Sequence, residues 1–141
     1  MSDSLHILRW VKFAQRDYDA AMNMSILHHP VPLEIVCYLC QQSAEKILKS
    51  YAIAQGEPFR KTHDLDSVLK LCMNHDDRFS AFEDICPVFT EFATATRYPA
   101  DEDLITEQDM NTALKNALEI LEFTKARLAE LGYTDETRTT E

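Results

Sequence analysis

Between residues 57 and 65 the chain reads EPFRKTHDL, which places Arg60, Lys61 and His63 within four residues, just where a helix is about to start. Cations beside a helix N-terminus suit an anion, because the free N–H groups and the positive end of the helix dipole both attract negative charge. An imidazole there can donate to a phosphate or carry a proton near neutral pH. Thr62 and Asp64 suit a second task in the same place, since either side chain can accept from the first unpaired N–H groups and cap the helix. The two readings are compatible, because a capped helix start can still face a cleft. A second group is Arg97 and Tyr98, directly before Pro99. Arginine offers a planar fork for phosphate, and tyrosine offers a ring for stacking. Alternatively Arg97 pairs with Asp101, Asp103 or Glu45. The residues expected to face a ligand are therefore Lys61, His63, Asp64, Arg97 and Tyr98. His63 and Arg97 are the candidates for any catalysis.

Other chemistry-bearing residues read more plainly as structure. Gln41, Gln42, Glu45 and Lys46 sit on one predicted helix, with Gln42, Glu45 and Lys46 on a shared face. That face suits a polar seam between helices, or a nucleobase. Cys37 and Cys40 have the spacing of a ligand pair but no matching second pair, so they read as core thiols. His28 and His29 precede Pro30 in a loop that offers no further ligands. No metal and no cofactor is expected. No glycine-rich phosphate cradle, nucleophile elbow or zinc-protease helix occurs.

The elements that must position these residues are helical. The 141 residues fit one domain, and the two glycines argue against the many tight turns of an all-β fold. A net charge of −10 repels phosphate backbones at long range, which speaks against duplex DNA while leaving room for a nucleotide, a short single strand or a basic partner. The N-terminus lacks the pattern of a signal peptide, and no apolar run is long enough to span a membrane. Together with four cysteines in apolar stretches, this predicts a cytoplasmic protein.

Helical periodicity predicts a first helix from Ser4 to Leu27, with a stripe of Leu5, Leu8, Val11 or Lys12, Ala14 or Gln15, Tyr18 and Met22. HHPVP at 28–32 ends it. A second helix runs from Leu33 to Gln55, with Ser43 and Ala44 small enough for close helix approach, and Gly56 as its C-terminal cap. A third covers 64–74. A fourth region, 78–96, carries Phe79, Phe82, Phe89 and Phe92 for the core or a dimer face, and kinks or restarts at Pro87. Thr106 opens the last helix, with Asp109 completing a capping box, and Gly132 stops it near Leu131. The expected fold is an all-α, up-and-down antiparallel bundle of about five helices over residues 1–132, followed by a polar tail at 133–141.

The ordered phrases CYLCQQSAEK, KTHDL and ATRYPADED, after a first helix with Trp10 and RDYDAA, resemble the HEPN domain family, the nucleotide-binding domain of higher eukaryotes and prokaryotes. The resemblance spans roughly Leu5 to Leu131. It implies an all-α bundle that forms a homodimer. It also implies a neighbouring minimal nucleotidyltransferase, as in toxin–antitoxin arrangements. Many members are metal-independent ribonucleases marked by an Arg, four to six residues, and a His. Here the arginines stand at 9, 16, 60, 78, 97, 127 and 138 and the histidines at 6, 28, 29, 63 and 75, so no pair has that spacing. After Arg97, the positions where the His would fall hold Glu102, Asp103 and Leu104. Carboxylates there would repel an RNA phosphate. The expectation is a nucleotide-binding or protein-interaction module rather than an enzyme. The alternatives are a ribonuclease in which His63 serves Arg97, and a purely structural dimer.

Overall fold

The computed structural model describes residues 2–58, 64–89 and 105–134. In these, four α-helices follow one another: α1 (Ser2–Leu27), α2 (Leu33–Ala54), α3 (Leu65–His75) and α4 (Glu107–Glu130). A 3-10 helix, Asp77–Phe82, follows α3, and a further helical turn begins at Cys86. No strand occurs among the described residues. The chain is an all-α bundle, as its periodicity predicts.

α1 and α2 are joined through Pro30 and Pro32 and pack antiparallel. Ser43 donates its hydroxyl to the Ala14 carbonyl at 2.8 Å, a side chain-to-backbone bond that requires the two helices to lie close. A small residue at this crossing is what permits it. One helical stripe of α1 is buried: Ile7, Val11, Ala14, Tyr18 and Ala21. Val11, Ala14 and Tyr18 are shared with the predicted stripe, whose ends differ, since Leu5 is 70% exposed and Met22 is only partly buried. Ile7 and Ala21 take the core positions instead, because tertiary packing selects among several apolar residues that periodicity alone leaves equivalent.

α4 also runs antiparallel to α1, with Lys125 hydrogen-bonded to Gln15 and Tyr133 beside Leu8 across one groove. α2 lies between these partners and α3, and it buries 13 of its 22 residues. Phe79 seats the 3-10 helix on this core, its ring centroid 4.6 Å from that of Tyr51 and 5.1 Å from that of Phe123. Phe79, Phe82 and Phe89 are all buried, so they belong to the core and not to a dimer face; Phe92 lies outside the described residues. The predicted helix over 78–96 differs in its first part. The chain winds as a 3-10 helix to Phe82, turns at 83–85, and enters α-helix at Cys86 with Pro87 in the first turn, where its missing N–H is harmless.

The helix ends follow local chemistry. The Thr106 hydroxyl accepts from the Asp109 N–H at 3.1 Å, and the Asp109 carboxylate accepts from the Thr106 N–H at 3.0 Å, closing the predicted capping box. Gly56 and Gly132 both have φ of +95°. Behind each, paired N–H bonds return into the last turn: Gly56 to Ile53 and Glu57 to Ala52, Gly132 to Ala129 and Tyr133 to Leu128. These are Schellman caps, which need a left-handed residue that glycine supplies without steric cost. Directly after Gly132, Tyr133 packs against the core.

Candidate functional site

Of the five residues expected to face a ligand, the described part of the structure contains Asp64. Lys61, His63, Arg97 and Tyr98 lie outside the described residues. Asp64 is the N-cap of α3, with extended backbone angles, and its carbonyl accepts from the Val68 N–H at 3.2 Å. Its carboxylate does not cap the backbone. It accepts the Ser67 hydroxyl at 2.7 Å instead, so Asp64 holds the predicted cap position without the cap bond; Thr62, the alternative cap, lies outside the described residues. At the other end of α3, His75 Nε2 meets Glu57 Oε2 at 2.7 Å, tying the end of α3 to the end of α2. Beside it Arg78 bridges Asp76 at 2.7 Å and Glu130 at 2.8 Å, which joins the 3-10 helix to the last turn of α4. The Arg78 guanidinium, by direct hydrogen bonds, holds both carboxyls below their ordinary range.

The predicted polar face of α2 divides in two. Glu45 turns inward with Gln41 and Lys49, three residues at successive i, i+4 positions, all buried. Glu45 Oε2 and Lys49 Nζ are 2.9 Å apart. Gln41 Oε1 is buried without a hydrogen-bond partner among the described residues. Lys46 turns the other way and pairs with Asp17 on α1. Lys49 escaped sequence reading because nothing in its neighbours distinguishes it from a solvent-facing lysine. The signal available was its i, i+4 relation to Glu45.

The four cysteines are free and buried. Desolvation pushes the thiols of Cys37 and Cys86 up to about 12, and those of Cys40 and Cys72 upward as well. Such groups stay protonated and act as small apolar side chains. The Cys72 thiol donates to the Leu48 carbonyl at 3.2 Å, within the α2–α3 contact.

A groove of about 530 Å³ lies between α1 and the second half of α4. Leu8, Val11 and Leu128 form its apolar part, with Lys12, Arg16 and Lys125 as cations and Asp19 and Glu122 as carboxylates. On the same exposed side of α1, the Arg9 and Arg16 guanidiniums lie 5.8 and 5.4 Å from the Phe13 ring centre. Sequence analysis did not single out this groove, since it forms only where two helices distant in the chain meet.

The HEPN domain model matches residues 7–128. The chain belongs to the HEPN domain family. The match opens at Ile7, the first buried residue of α1, and closes at Leu128, the last buried residue of α4, so it covers the helical core from end to end. The crystal structure of an archaeal HEPN homologue is similar, with a TM-score of 0.69 and 25% sequence identity over 86% of this chain and 96% of that one. No curated protein sequence matches. No helix among the described residues of this HEPN chain is long and apolar enough to cross a membrane.

Proposed function

We propose that this HEPN chain is a nucleotide-binding and protein-docking module that acts as a homodimer in the cytoplasm. In this reading its second partner is a nucleotidyltransferase, within a toxin–antitoxin-like pair. The observation that carries the reading is the HEPN match across the whole core in a sequence with no arginine and histidine at the spacing of the family's ribonucleases. The ligand-facing set is Lys61, His63, Asp64, Arg97 and Tyr98. The start of α3 supports it, because the Asp64 carboxylate accepts from the Ser67 hydroxyl and caps no backbone N–H of that first turn.

The test is a titration of labelled protein with ATP, GTP and a short single-stranded RNA, followed by backbone amide shifts. Saturable shifts at Asp64–Val68, weakened tenfold or more by His63→Ala and by Arg97→Ala in protein of unchanged melting temperature, are expected. A folded spectrum that no nucleotide moves overturns the nucleotide site. Cleavage of the RNA without metal, leaving a 2′,3′-cyclic end, replaces the binding role with the ribonuclease one.

A further inference from the structure

Arg9, Lys12 and Arg16 form no ion pair among the described residues, although the chain carries ten more carboxylates than cations. Asp19, one turn beyond Arg16, accepts the Gln15 amide at 2.9 Å and forms no ion pair among these residues. Both charges line the α1–α4 groove. Leu8 and Ile26 are in line along α1, eighteen residues or about five full turns apart; Asp19 lies close to that line and Arg16 about 80° round the helix from it, so all four fall on one broad face. Along α1 this face reads apolar at Leu8, cationic at Lys12 and Arg16, anionic at Asp19 and apolar at Ile26 and Leu27. Its outer end is open, with Ile26 59% and Leu27 72% exposed.

We infer that this face of α1, with the rim of α4 beside it, is the interface with a second copy of the chain, the two α1 helices running antiparallel across a two-fold axis midway between Arg16 and Asp19. Such an axis sets Arg16 against Asp19 of the partner subunit and Asp19 against Arg16 of the partner subunit. Leu8, eight residues before Arg16, then meets Leu27 of the partner subunit, eight residues beyond Asp19. A face whose halves complement each other in this way is what an isologous dimer requires. Charge pairs fix the register, while the apolar ends supply the burial. A nucleic acid fits the same face poorly, because Asp19 and Glu122 lie in the groove beside the cations and the chain as a whole repels polyanions.

The inference rests on the homodimer part of the proposed function and deepens it by naming the face. Sedimentation velocity on the full chain at micromolar concentrations should show a dimer. Arg16→Asp and Asp19→Arg each place like charges opposite each other twice, and each should weaken the dimer by about tenfold or more. Mixing the two variants should restore it, because the mixed dimer holds two opposite-charge pairs. Both positions are on the protein surface, and circular dichroism checks that each variant folds. A dimer that ignores both substitutions and gains nothing on mixing overturns this face but leaves the homodimer standing. A monomer throughout overturns both, and dimerisation that appears only when an RNA oligonucleotide is added assigns the cations to nucleic acid. The nucleotide titration is read at α3 and is independent of all these outcomes.

Discussion

α1 and α2 are neighbours of similar length, yet they differ in how the bundle uses them. α1 buries one stripe and leaves three cations on its outer side without ion pairs among the described residues. α2 is covered on most of its circumference, and its buried set includes a carboxylate and an ammonium paired to each other. The difference is one of position. A helix at the edge of a bundle has a free face on which charge costs little, whereas on a helix at the centre a buried charge is costly unless it is paired. Changes on α2 should therefore alter stability, and changes on the outside of α1 should alter association.

Three measurements can break or sharpen that contrast. The largest effect is expected for Leu48→Ala, at a fully buried side chain of α2, which should cost about 2–5 kcal/mol in urea unfolding. A loss no greater than that of an α1 surface substitution would contradict the central role of α2. Next, Glu45→Leu leaves Lys49 buried without its carboxylate and should cost about 3 kcal/mol. Glu45→Leu with Lys49→Met should recover much of this, because an apolar pair needs no charge compensation. If the double variant is as unstable as the single, Lys49 is held by other contacts. The smallest effect is expected at the exposed corner of Arg78. Arg78→Ala should lower the melting temperature slightly at neutral pH. The carboxyls of Asp76 and Glu130 titrate lower in the folded chain, so their stabilisation is full above the ordinary carboxylate range near pH 4 and is lost as pH falls through the folded values. The gap between variant and parent should narrow as pH falls below the ordinary carboxylate range. A gap independent of pH would mean that Arg78 acts by packing alone.

How much was legible in advance varies with the range of the interaction that decides each feature. The Thr106–Asp109 capping box and the two glycine caps were readable, because each is settled by residues within a few positions of one another. The Asp64 cap was readable only in position. Its carboxylate had two local donors to choose from, the backbone and Ser67, and residue type does not rank them. The fourth region was read as one helix because its phenylalanines fit a helical period. Packing of Phe79 between Tyr51 and Phe123 accompanies a tighter 3-10 winding instead.

The sequence by itself determined that the chain is all-α, where α1 to α4 start and stop to within two residues, and that it carries the phrases of a HEPN domain without the arginine–histidine spacing of the family's ribonucleases. These depend on periodicity, capping and residue order, which are local. Only the tertiary structure decided which stripe of α1 is core, that Glu45 and Lys49 are buried together, and that α1 and α4 enclose a groove with its own arrangement of charge. Those features depend on the rotation of each helix against partners as many as 110 residues away, as Lys125 is from Gln15. That rotation is set by the packing of the whole core.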